Sequence, residues 1–175
     1  MLPAYDGPRP EPDRKGYVSV THSIHIDAPP VRVKAWADDP GRSLEDIVEF
    51  DSGMPAVVGT DALVGDWTPG AREGHRRRVR FADGSCLAEE VLVDSPEVFR
   101  YLIWGFTAPR QRFAIRQGLA EFRFAPRDGG TQLEWTYAFL PTFPLLRPAV
   151  RRFLNAVMTP MMTATLTAMR DGVTT

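Results

Sequence analysis

The chain has 175 residues, a formal net charge of −1 and 43% hydrophobic and 25% charged residues, which are the proportions of one ordinary globular domain. The near-neutral charge gives no electrostatic reason to expect nucleic acid or an anionic membrane as partner. A single cysteine, Cys86, excludes an internal disulfide and fits a reducing compartment.

No apolar run reaches the roughly 18–20 residues of a membrane span, so no stable membrane insertion is expected. The first residues, MLPAYDGPRPEPDRKG, lack a basic segment followed by an apolar core, so no secretory signal is expected and the expected location is cytoplasmic. Their prolines among charged residues predict an extended or disordered arm over residues 1–15, followed by a single domain over 16–175.

Val18, Val20, Ile24 and Ile26 alternate with polar residues, which predicts a half-buried strand ending at Asp27 with His22 on its apolar side. After Ala28-Pro29-Pro30 a short helix is expected over Val31–Ala37, and Ser43-Leu44-Glu45-Asp46 reads as the capped start of a second, to about Phe50. Strands are then expected over Asp61–Trp67, Glu73–Phe81, Leu87–Val93, Val98–Phe106, Leu119–Ala125 and Gln132–Leu140. Thr107–Gln117 reads as an arginine-bearing loop, with or without a helical turn. From Pro144 to Val173 apolar residues recur at helical spacing, with Gly172 expected to end the helix and Pro160 to kink it. Short turns between strands make the sheet mostly antiparallel, and the long helix is the one element able to cover its concave face.

The register of the central hairpin depends on its turn. A three-residue Ala82-Asp83-Gly84 loop pairs Val79 with Leu87, keeps both apolar sets on one face and places Arg77 opposite Glu89. That inward pair reads either as a structural ion pair or as a polar anchor for a ligand carbonyl or carboxylate. His22 reads as a satisfied core residue or as a proton donor and acceptor at the cavity floor, and His75 faces the same way. Tyr101, Trp135 and Tyr137 are assigned inward with Phe99, Leu133 and Phe139. On the helix, Val157, Met158, Met161, Met162 and Met169 are weighed between core and ligand lining. Arg76, Arg78 and Arg80 alternate outward and read as a solvated face; Cys86 falls on the outer side. Three histidines without matching cysteine or acidic spacing make no metal motif, so no metal and no cofactor are expected.

Three stretches together carry a family resemblance: Ser23 to Pro40, SIHIDAPPVRVKAWADDP; the Trp67-Thr68-Pro69-Gly70 turn with His75 to Gly84; and Gly130 to Tyr137, GTQLEWTY, before the long helix. Their order resembles the START-like (SRPBCC) superfamily, within it the polyketide cyclase/dehydrase and lipid-transport group, over residues 17–173. The resemblance implies an α+β helix-grip fold: a curved seven-stranded antiparallel sheet around a long C-terminal helix, with two short helices after the first strand. It implies a cavity for a hydrophobic small-molecule ligand, lipid-like or polyketide-like; a monomer or homodimer is expected, and from the net charge no nucleic acid. The alternative is a cofactor-independent cyclase or dehydratase, with Arg77, Glu89, His22 and Tyr101 as candidate catalytic residues.

Overall fold

The computed structural model describes residues 2–42 and 54–175. Seven strands form one antiparallel sheet: β1 (Val18–Ile26), β2 (Val57–Val64), β3 (Arg76–Phe81), β4 (Cys86–Asp94), β5 (Val98–Trp104), β6 (Ile115–Arg127) and β7 (Gly130–Pro141). Their order is β1-β7-β6-β5-β4-β3-β2, so every neighbour except the β1–β7 pair is also the next strand in the chain. Register shifts within β2, β4 and β6 bend the sheet, as bulges do.

Helix α1 (Pro30–Ala37) follows β1, and α2 (Pro109–Ala114) precedes β6. The second short helix expected after β1 lies outside the described residues. The expected strand over Asp61–Trp67 is displaced to Val57–Val64, because Gly65 and Trp67 adopt positive φ and break the extended run. The arginine-bearing segment, read as a loop with or without a helical turn, contains the short helix α2, and its last residues already belong to β6.

The long C-terminal helix has three parts: α3 (Arg147–Phe153), a π-helical turn (Leu154–Met158) and α4 (Thr159–Thr174). Proline has no N–H to give to the carbonyl four residues back. A π turn ends two residues before Pro160, beside the place where that bond is missing. The helix packs its apolar stripe (Val150, Leu154, Met158, Met161, Met162, Leu166, Met169 and Val173) against the concave face of the sheet.

Gly172 does not end the helix, which continues to Thr174. A Cβ at this position would lie 2.3 Å from Cζ2 of Trp36, so glycine here lets α4 and α1 touch. Gly172→Ala is expected to cost about 1–2 kcal/mol through this overpacking, despite alanine's better helix propensity. Urea unfolding should show a lowered midpoint at constant slope. A raised midpoint would mean that Trp36 moves aside freely.

The convex face is not the solvated surface expected of Arg76, Arg78 and Arg80. Arg76 is only 7% exposed. The N-terminal segment crosses this face: Arg78 donates to the Pro3 carbonyl (2.7 Å), Arg76 to those of Tyr5 and Gly7, and Gln117 to that of Glu11 (3.4 Å). Beneath it, Glu90 accepts from both Arg76 (2.7 Å) and Arg9 (2.8 Å). The Tyr5 hydroxyl donates to the Gly105 carbonyl at 2.6 Å and covers Cys86, which is buried.

Candidate ligand-binding cavity

Alternation along the strands sends one set of side chains into the concave face, and the long helix closes over them without filling the space. A cavity of about 490 Å³ remains. Phe99, Tyr101 and Ile103 of β5, Phe122 and Phe124 of β6, and Trp135, Tyr137 and Phe139 of β7 form its sheet wall. Phe153, Met158, Met161, Thr165 and Met169 come from the helix. The aromatic rings touch in a row: Phe122 stacks on Trp135 with centroids 4.5 Å apart, Trp135 meets Tyr137 at 5.2 Å, and Tyr137 meets Phe139 at 5.7 Å.

The central hairpin has the three-residue turn. Phe81 N–H donates to Ser85 O, and Gly84 takes the left-handed conformation at φ +81°. Val79 therefore pairs with Leu87, and Arg77 with Glu89. Arg77 Nε and Nη2 both donate to Glu89 Oε2, at 2.8 and 2.7 Å. Its guanidinium lies 4.2 Å from the ring centre of Trp67, which closes that corner. Trp67 is held at φ +63°, a conformation that bulky residues seldom adopt. Its N–H donates to Nδ1 of His75 at 3.2 Å, so His75 supports the Trp67 backbone and does not itself line the cavity.

Deeper in the wall, the hydroxyls of Tyr101 and Tyr137 are 3.1 Å apart. Burial pushes both phenols up, and the nearby Glu89 charge adds to it, so both stay protonated at neutral pH. Only one hydrogen can lie between the two oxygens, which leaves the other O–H for a third group. Trp135 is 2% exposed, and its indole N–H has no acceptor among the described residues. A buried donor without a partner is costly, and this one sits on a residue of the cavity wall.

At the α1 end, Arg72 and Lys34 meet Asp38 and Asp94. Arg72 donates to Asp94 (2.9 Å) and Asp38 (2.7 Å), while Lys34 pairs with Asp38 and with Asp94 (3.3 Å). Burial alone would push the Asp94 carboxyl up, but the hydrogen bonds and charge of Arg72 and the charge of Lys34 outweigh it. The carboxyl is held well below the usual carboxylate range.

Of the residues singled out from the sequence, Arg77, Glu89, Tyr101, Trp135, Tyr137, Met158 and Met161 are brought together on the cavity wall. His22, His75, Val157 and Met162 are not. His22 shares a 3.0 Å hydrogen bond with Thr159 at the sheet–helix seam, and Met162 is completely buried in the core. The i,i+4 spacing of Lys34 and Asp38 is a local signal, but no spacing rule joins that pair to Arg72 and Asp94. Trp67 reads from sequence only as part of a turn; a bulky aromatic directly after Gly65-Asp66 is the available signal. Among the described residues no group of histidine, cysteine and carboxylate side chains could hold a metal ion.

Comparison with known proteins places this geometry in a broad structural group. The protein Ara h 8.0201 superposes with a TM-score of 0.61 at 15% identity, covering 90% of this chain and 98% of its own. A Thalictrum norcoclaurine synthase mutant bound to a transition-state analogue gives 0.64 at 14%, covering 91% and 97%. A Thermus thermophilus protein gives 0.58 at 20%, covering 89% and 97%. At these identities the likeness shows a shared fold. No curated protein sequence matches. The family described as polyketide cyclase / dehydrase and lipid transport matches residues 17–173, and the chain belongs to that family.

Proposed function

We propose that the protein binds a hydrophobic or amphipathic small molecule between sheet and helix, and that the ligand's polar end is uncharged. The observation that carries this is the cavity wall. It encloses about 490 Å³, within the roughly 300–1,000 Å³ typical of small-molecule sites, and most of its lining side chains are apolar, aromatic rings and methionines foremost. Every cation on it is already matched: Arg77 by Glu89, Arg72 and Lys34 by Asp38 and Asp94, and Arg42 by Asp39. An anionic head group would have to displace a carboxylate to find a partner. The unspent group among the described wall residues is a neutral donor, one phenol O–H of the Tyr101–Tyr137 pair, which suits a ketone, ester or hydroxyl oxygen.

A second reading is a cyclase or dehydratase acting on a polyketide-like substrate, and the grouping of Arg77, Glu89, Tyr101 and Tyr137 supports it. There the phenol pair would polarise a substrate carbonyl. His22 would take no part in proton transfer, because it is hydrogen-bonded to Thr159 outside the cavity wall. With no histidine among the described wall residues, carriage is the better-supported activity.

Native mass spectrometry of protein purified from its own host tests the proposal. The expected result is a bound apolar species with an uncharged oxygen function. A consistently empty protein that also ignores a panel of aromatic and lipid-like ketones, esters and alcohols would sink it. Turnover of any bound compound would select the enzyme reading.

A further inference from the structure

Although the whole chain is almost neutral, its charge is unevenly placed. From Val98 to Ala120, and again from Trp135 to Arg170, there is no aspartate or glutamate. These two runs meet at one end of the sheet. Ile115 pairs with Pro141, Thr142 N–H donates to Ala114 O at 3.1 Å, and the Thr142 hydroxyl donates to Phe113 O at 2.6 Å. Helix α2 and the turn leading into α3 therefore form a single tip.

Three large apolar side chains on this tip face water: Phe113 is 65% exposed, Phe143 60% and Leu145 92%. Isolated exposed apolar residues need no explanation, but here three fall on two hydrogen-bonded segments. Arg110 and Arg112 of α2, Arg116 at the start of β6, and Arg147, Arg151 and Arg152 of α3 adjoin them, all exposed. Arg116 pairs with Asp13 (3.6 Å) and Arg147 donates to the Gly16 carbonyl (2.6 Å). Arg110, Arg112, Arg151 and Arg152 have no ion-pair partner among the described residues.

We infer that this tip docks on an anionic phospholipid surface, with Phe113, Phe143 and Leu145 seated among the head groups and the arginines at phosphate level. Exposed apolar side chains on elements that also carry unpaired cations are the combination that interfacial binding uses. The charge is spread over two segments, which suits a field of phosphates better than one bound anion. Leu145 touches almost nothing on its own protein, so its contacts fall to a medium that can flow around it. The same part of the chain supplies Phe106, Ala108, Gln111 and Phe153 to the cavity wall, so a docked molecule holds that wall against the bilayer.

Vesicle flotation of the full chain tests this, using phosphatidylcholine alone and phosphatidylcholine with phosphatidylglycerol, at low and high salt. Binding is expected to the phosphatidylglycerol vesicles only, and to weaken as salt rises. Leu145→Asp, and separately Arg151→Glu with Arg152→Glu, should each weaken it by about tenfold or more while leaving thermal unfolding unchanged. Absence of binding to the anionic vesicles at low salt would overturn the inference, as would binding unaffected by both variants. Binding to heparin without binding to vesicles would assign the tip to an acidic macromolecule, and would also overturn it.

Discussion

Asp94→Ala is expected to lower the unfolding free energy by about 3–5 kcal/mol, the range for removing one member of a buried ion cluster. The Asp94 side chain is 1% exposed and accepts from Arg72 Nε (2.9 Å), Arg72 Nη2 (3.0 Å) and Lys34 (3.3 Å). It also accepts from the backbone N–H groups of Gly70 (3.0 Å) and Arg72 (3.2 Å). Alanine would leave two largely buried cations sharing Asp38, and two backbone donors without their acceptor. The same cluster ties α1 to the end of β4 and to the segment before β3, so the cavity wall should loosen with it. The pH dependence has a definite sign. A carboxyl held below its ordinary value contributes stability that is complete above the unfolded value, about 3.9, and declines as pH falls toward the folded one. Wild-type stability should therefore drop as acid is added below about pH 4, and the variant should show a shallower drop from a lower start. Urea unfolding at neutral and acidic pH measures both. A variant within about 0.5 kcal/mol of wild type would mean that the cluster's desolvation cost cancels its attraction.

This cluster also marks where the sequence stops being informative. Period-two alternation and the Asp83-Gly84 turn are local signals, and they are enough to place Arg77 opposite Glu89 and to turn Tyr101, Trp135 and Tyr137 inward. Alternation names a face; it does not name what covers that face. Arg76 and Arg78 alternate outward as read, yet they are covered by an arm whose bonds are its own carbonyls accepting from arginine. A proline-rich segment held in this way has no apolar period to betray it. The helix stripe has a similar limit: Met161 and Met162 are equally apolar, but Met161 reaches the cavity while Met162 is sealed in the core. The π turn before them changes the phase that a regular 3.6-residue period would assign. Alternation puts His22 on the correct side, but its partner, Thr159, is 137 residues away in sequence. Net charge, being a sum, hides the acid-free runs that meet at the arginine-rich tip.

Glu89→Gln is expected to reverse the cavity's preference between matched neutral and anionic ligands. The pair to compare is 2-acetylnaphthalene and 2-naphthoate, which share a ring system and differ at the polar end. In the wild type both Arg77 donors go to Glu89 Oε2, and Glu89 is 6% exposed, so a carboxylate entering the cavity meets a neutralised cation and the negative charge of Glu89. The ketone avoids that repulsion and can use the free phenol donor. Glutamine keeps a carbonyl acceptor for Arg77 but removes the charge, leaving a cation in an apolar chamber with no counter-ion of its own. Arginine binds carboxylate through paired donors, so naphthoate should then supply the missing charge. The ratio of naphthoate to ketone affinity should rise by about tenfold or more, equivalent to about 1.4 kcal/mol. Stability without ligand should fall by about 2–3 kcal/mol, because an uncompensated buried charge remains, and naphthoate should restore part of it. Isothermal titration of both ligands, paired with thermal unfolding in their presence, separates the two effects. An unchanged affinity ratio in a folded variant would show that Glu89 does not gate charge. Arg77 and Glu89 would then be a strut across the sheet, and the ligand's polar end would be chosen by Tyr101 and Tyr137.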